Sequence, residues 1–82
     1  MNEDEFAGLI EAAFITVVFN KQIGFDDDCE FLMNNLESVL TSFNNDFPDC
    51  VEYFKKELKK LKSSKNVKTY ELPSYKKRRD AK

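Results

Sequence analysis

Residues 5–19 of the chain read EFAGLIEAAFITVVF, and eleven of these fifteen residues are apolar. Its members that are not apolar are Glu5, Gly8, Glu11 and Thr16. Spacings of three and four, typical of one helical face, relate Phe6, Leu9, Ile10, Ala13, Phe14, Val17 and Val18. Ile15 and Phe19 widen that stripe beyond one face. A helix that is apolar on nearly all sides must be covered on nearly all sides.

Polar and glycine residues mark the ends of this first helix, which we expect over about residues 4–23. Asn2 can cap its start, with Glu5 completing a capping box. Gly24 suits the position after its end, where a left-handed backbone carries no Cβ penalty. We expect Phe25 to fold back onto Phe19.

Two further helices follow. The second is predicted over about residues 27–43, with Asp27 as its N-cap and Glu30 completing a capping box. Its predicted inward residues are Cys29, Leu32, Met33, Leu36, Val39, Leu40 and Phe43. The third is predicted over about residues 48–62, because proline suits the first helical position. Its predicted seam is Val51, Phe54, Leu58 and Leu61.

The pattern therefore predicts an all-α fold, a three-helix bundle with a short extended segment and a disordered basic C-terminal tail. The helical domain comprises residues 1–73, in which the extended segment, residues 67–72, docks through Tyr70 and Leu72. Residues 74–82 form the basic flexible tail.

Charge is strongly segregated along the chain. Residues 1–52 carry twelve acids and one base, Lys21, whereas residues 53–82 carry twelve bases and three acids. Their net charges of −11 and +9 leave −2 for the whole chain. The two halves either neutralise each other within the fold or recruit an oppositely charged macromolecule.

The residue inventory argues against catalysis. The chain has no histidine, which excludes Ser-His and Cys-His pairs, and two cysteines fall short of a zinc site. Gly8 and Gly24 are too few for a phosphate-binding loop. Cys29 and Cys50 begin successive antiparallel helices, too far apart for a disulfide, so we expect free, half-buried thiols. We expect no enzymatic activity, no catalytic residue, no metal and no cofactor.

The first residues also bear on location. Residues 1–5 contain three acids and no base, unlike a signal peptide, and the apolar run is shorter than the ~20 residues of a membrane span. Frequent Asn, Lys, Asp and Phe suggest an AT-rich genome, as in many phages and low-GC bacteria. We expect a cytoplasmic protein, in the host cytoplasm if phage-encoded, with no membrane span.

The surplus apolar area of the first helix points to binding. Either the rest of the chain encloses this helix, or a second copy, as a homodimer, or another protein covers it. The leading hypothesis is a small non-catalytic regulator, an inhibitor or adaptor of the kind that phages and plasmids encode, that binds another protein through an apolar helical face. The candidate partner-binding residues are Phe31, Phe47, Tyr53, Phe6 and Ile15.

The alternative is nucleic-acid binding through the third helix and the tail. Its candidate basic patch comprises Lys55, Lys56, Lys59, Lys60, Lys76, Lys77, Arg78 and Arg79. Tyr70 and Tyr75 could stack on bases. The charge of −11 on the same small body opposes this reading. A third possibility is head-to-tail assembly of the oppositely charged halves.

Overall fold

A computed structural model describes residues 1–64 and 70–80, with the backbone alone for residues 26 and 78–80. The helices are α1 (Glu3–Gln22), α2 (Asp26–Ser42), α3 (Pro48–Ser63) and the short α4 (Tyr75–Asp80). The first three pack together, and the described residues contain no strand. The prediction of an all-α three-helix bundle is confirmed.

The two ends of α1 follow from local hydrogen bonding. The backbone N–H of Glu5 donates to Asn2 Oδ1 at 2.8 Å, which confirms Asn2 as the N-cap. Gly24 has φ of +89°, and the N–H groups of Gly24 and Phe25 donate to the carbonyls of Lys21 and Asn20 at 3.3 and 3.0 Å. This is the Schellman arrangement, in which glycine avoids the cost of a left-handed backbone.

The start of α2 differs from the prediction. The helix begins at Asp26, its N-cap is Phe25, and no side chain makes a capping hydrogen bond. The prediction of Asp27 as N-cap with Glu30 is therefore wrong. The backbone N–H of Cys29 donates to the Phe25 carbonyl at 3.0 Å, so helical bonding starts earlier than the polar pattern suggested. The aspartates instead occupy the first turn, where negative charge complements the helix dipole.

One core joins the three long helices. Its buried members are Phe6, Ala7, Ile10, Phe14, Val17, Val18, Cys29, Met33, Leu36, Leu40, Cys50, Val51, Phe54, Leu58, Leu61 and Tyr75. All four predicted seam residues of α3 are among them. Leu9 and Val39 were predicted to face inward but are exposed. One residue step turns a helix by ~100°, so Leu9 leaves the core even though its neighbour Ile10 is buried.

The segment before α4 docks only partly as predicted. Tyr70 is half-buried against the core, and its hydroxyl donates to the Glu57 carbonyl at 3.4 Å. Leu72 is exposed instead, and Pro73 is buried in its place. The remaining predicted extended residues, 67–69, lie outside the described part of the chain.

The expected disordered tail is, in its described part, a docked helix. Tyr75 is 9% exposed, and its ring lies 5.7 Å from the Tyr53 ring. Its backbone N–H donates to Glu11 Oε1 at 3.1 Å, and its hydroxyl to Glu3 Oε2 at 3.5 Å. An aromatic ring with a partner for each polar group gains from burial, whatever the charge of its sequence neighbours. Helical structure therefore continues past residue 73, as α4.

Candidate protein-binding surface

Helix α1 is apolar on both sides, and only one side is covered. The inner side supplies its six buried residues. On the other side, Gly8, Ala12, Ile15, Phe19 and Ile23 are all exposed and follow one another at spacings of three and four. We call these five residues the outer stripe. Among them Ile15 is 53% and Phe19 58% exposed, and Leu9 beside them is 58% exposed.

The uncovered side follows from the number of helices available. Helices α2, α3 and α4 all contact α1, and they do so on its inner side, where Phe14 is fully buried against Phe54. Within the described residues, nothing covers the outer stripe. The alternative that the chain fully encloses its first helix is therefore wrong for the described residues. Contiguous exposed apolar side chains of this kind mark interaction sites on soluble proteins.

Gly8 adds a second observation to the stripe. A Cβ atom at this position would meet nothing within 4 Å, and glycine inside a helix costs about 1 kcal/mol relative to alanine. The fold of the monomer therefore gives no packing reason for glycine here. Together with Ala12 it leaves a notch in the middle of α1, where another backbone can approach closely.

The charges around the outer stripe are acidic. Asp4 and Glu5 are exposed at the start of α1. Asp27 and Asp28 are exposed in the first turn of α2, four and five residues after Ile23. The only base among the first 52 residues is Lys21. Its ammonium donates to the carbonyls of Leu61 and Ser64 at the end of α3 at 3.1 and 3.4 Å, on the inner side of the helix.

The structure separates the five predicted partner-binding residues. Ile15 is in the outer stripe, and Phe31 is 66% exposed on α2. Phe6 is 2% exposed and stacks on the half-buried Phe47 with ring centroids 5.0 Å apart. Tyr53 is half-buried, and its hydroxyl accepts a hydrogen bond from the Ser74 N–H at 2.9 Å. These three rings hold the bundle together and do not form an exposed surface.

Sequence reasoning missed Leu9 and Phe19 as surface residues. The available signal was the second set of three- and four-residue spacings, from Gly8 through Phe19, which runs opposite the bulky set containing Phe6, Ile10 and Phe14. A helix with two such sets can present only one of them to a given core.

Three residues of the predicted basic patch line a cleft of about 650 Å³ between α2 and α3, where they are joined by Lys62, which the prediction did not include. Lys55, Lys56, Lys59 and Lys62 line it together with Glu37 and Glu52. Lys56 pairs with Glu52 at 3.3 Å and Lys62 with Glu37 at 2.9 Å. The hydrogen bond from Lys62, with its positive charge, lowers the pKa of Glu37.

The rest of the predicted nucleic-acid surface is divided. Lys60 pairs with Glu57 at 3.3 Å, Lys76 and Lys77 are exposed on α4, and the side chains of Arg78 and Arg79 lie outside the description. Tyr70 and Tyr75, predicted to stack on bases, are instead packed against the core. Their rings are therefore not available to stack on the bases of a single-stranded nucleic acid.

Cys29 and Cys50 are both buried, more deeply than the half-burial predicted for them, and no disulfide joins them. Cys29 Sγ donates weakly to the Val17 carbonyl at 3.7 Å, which ties α2 to the inner side of α1. Cys50 is fully buried at the start of α3. Across residues 1–64 and 70–80, no group of three or more acids and cysteines is placed to hold a metal ion.

Comparisons with protein-family models, curated proteins and solved structures found no match to the chain. In the part of the chain that the structure describes, no helix combines the length and apolarity needed to cross a bilayer.

Proposed function

We propose that the chain is a small non-catalytic regulatory protein, an inhibitor or adaptor, that binds another protein through the outer stripe of α1. The observation that carries the proposal is the exposure of Leu9, Ile15 and Phe19 on a helix whose inner side already fills the core. Each of these side chains is a little more than half exposed, so covering it gains roughly 1–1.5 kcal/mol, which favours docking of a partner helix.

The lack of histidine and the burial of both thiols support the non-catalytic part of the proposal. Histidine, an exposed thiolate or a metal-activated water usually supplies general-base or nucleophilic chemistry near neutral pH. The protein would then act by occupying a surface of its partner.

The test compares two variants with the unchanged protein. Ile15→Ser with Phe19→Ser removes the apolar stripe, and Phe31→Ser removes an equally exposed aromatic on another helix. Circular dichroism should show the same helical content for all three. Proteins captured from a lysate of the source cells should be lost with the double variant and kept with Phe31→Ser. Retention of every captured protein by the double variant would eliminate the outer stripe as the binding surface.

The basic cleft between α2 and α3 favours the second candidate function, nucleic-acid binding. Four lysines at one cleft can neutralise phosphates, and affinity of this origin falls steeply with salt. Two of the four are already paired with carboxylates, and −11 of charge lies on the same body. Filter binding of single- and double-stranded nucleic acid at low salt tests this function, and the leading proposal expects no retention.

A further inference from the structure

We infer that the occupant of the outer stripe is an amphipathic helix with lysine or arginine flanking its apolar side, and not a second copy of this chain. This inference rests on the proposed function and specifies the partner for the same surface. Three properties of the surface support this inference: its shape, its negative charge, and the repulsion which that charge causes between two copies of the stripe.

The shape of the surface fits a helix. The outer stripe runs along one side of α1 from Gly8 to Ile23, about 22 Å at ~1.5 Å per residue, and spacings of three and four keep it straight. Gly8 and Ala12 form a notch, while Ile15 and Phe19 project beside it. Apolar side chains at these intervals can pack against a partner helix whose own apolar residues recur with the same period. A helix of about 16 residues covers the whole length.

The charge of the surface selects the flanks of that helix. Exposed acids stand at both ends of the stripe, Asp4 and Glu5 before it and Asp27 and Asp28 after it. The one base of this half, Lys21, directs its ammonium at the carbonyl end of α3. A helix with lysine or arginine beside its apolar residues is attracted to the acids at both ends of the stripe, and this attraction raises its association rate.

The same charges oppose a second copy that pairs its own outer stripe with this one. A parallel pair across the outer stripe places Glu5 opposite its own equivalent, and an antiparallel pair places it near the aspartates that begin α2 of the other molecule. Like charges meet in both orientations.

The test uses two synthetic helices of about 16 residues, with the same leucine seam and with either lysine or glutamate at every flanking position. Fluorescence anisotropy of each labelled peptide is followed against the full chain at low salt and at about 0.5 M salt. We expect the lysine peptide to bind at least about tenfold more tightly at low salt, with the difference shrinking as salt screens the charges.

Matched variants separate the stripe from bulk attraction. Phe19→Ser keeps every charge and should weaken binding of the lysine peptide by at least about tenfold, because it removes the main apolar contact. Gly8→Gln should raise the stability of the helix while weakening binding, because it fills the notch with a good helix former. The triple variant Glu5→Gln, Asp27→Asn and Asp28→Asn should reduce the preference for lysine over glutamate.

The outcomes distinguish this inference from the proposed function. Equal affinity for the two peptides overturns the choice of a basic partner and leaves the stripe as a protein-binding surface. Binding of the lysine peptide that Phe19→Ser does not weaken shows attraction to acids elsewhere and overturns the inference. Salt-insensitive dimers in sedimentation, lost in Phe19→Ser, make a second copy the occupant and overturn it as well. The proposed function fails separately, through the lysate capture by the Ile15→Ser, Phe19→Ser variant.

Discussion

Helices α1 and α3 both place an apolar side against the common core, but their opposite sides differ completely. On α3 the outward residues include the exposed Lys56, Lys59 and Lys60. On α1 they include Ile15 and Phe19. The spacing of apolar residues therefore specifies which side of a helix is buried only when the other side is polar. Where both sides are apolar, the neighbouring helices decide which is buried, and the remaining side is free for a partner.

The largest expected effect comes from the inner sides of the two helices. Phe14→Ala on α1 and Phe54→Ala on α3 should each lower the free energy of unfolding by about 3–5 kcal/mol, because both rings are fully buried. A domain of this size has roughly 4–12 kcal/mol in total, so either variant is marginal. The matched outer change, Phe19→Ala, should stay within about 0.5 kcal/mol. Urea denaturation measures all three, and an equal loss for Phe14→Ala and Phe19→Ala would contradict the assignment of inner and outer sides.

The next effect concerns the docked C-terminal helix that α1 and α3 share. Tyr75→Ala should lower the free energy of unfolding by about 2–3 kcal/mol, because a buried ring between the two helices is lost. Tyr75→Phe keeps the ring and loses the long hydrogen bond to Glu3, so it should cost less than about 1 kcal/mol. If Tyr75→Ala unfolds at the same urea concentration as the unchanged chain, the tail is free, as the sequence pattern had suggested.

How far the sequence predicts this molecule depends on the same contrast. All four predicted seam residues of α3 are buried, because charged residues fill most of the other side of that helix and leave one apolar side. Leu9 on α1 and Val39 on α2 were assigned to the wrong side, because a residue at the edge of a wide apolar stripe can turn either way. Tertiary packing settles such positions, and local spacing does not contain that information.

Tyr75 and the predicted aromatic anchors show the second limit. The run of lysine and arginine after Tyr75 resembles a solvated tail. The Tyr75 ring nevertheless packs against Tyr53 and Phe54, and its N–H and hydroxyl donate to glutamates more than sixty residues away in sequence. Phe6, Phe47 and Tyr53 were predicted, with Ile15 and Phe31, to bind a partner. The residue type alone does not distinguish an aromatic ring in the core from one on the surface. Only the fold makes that distinction.

A smaller effect separates a true cap from a predicted one. Asn2→Ala should lower the free energy of unfolding by about 1 kcal/mol, because it leaves the Glu5 N–H without its acceptor at the start of α1. Asp27→Ala should change it by only a few tenths of a kcal/mol through the helix dipole, since Asp27 lies inside α2 and caps nothing. Thermal melts of both variants measure the difference, and a larger loss in Asp27→Ala would restore the predicted capping box.

The smallest effect is invisible at neutral pH. Burial, with the nearby charge of Glu57 as a lesser cause, raises the pKa of Tyr70 above its ordinary value of about 10. The neutral phenol is favoured in the folded state, so its contribution is complete below about pH 10 and is lost as the pH rises further. Tyr70→Phe should therefore lose less stability than the unchanged chain between about pH 10 and pH 12. Identical alkaline unfolding of the two proteins would show that Tyr70 is solvated.

The central claim is that the outer stripe of α1 is free in the monomer and receives a helix with basic flanks. A nuclear magnetic resonance titration of the ¹⁵N-labelled chain with the lysine-flanked peptide tests it most directly. We predict that the changes in amide chemical shift are concentrated from Gly8 to Ile23 and that the shifts of α3 stay unchanged. Changes confined to the cleft between α2 and α3, or shifts absent from α1 at saturating peptide, would contradict it.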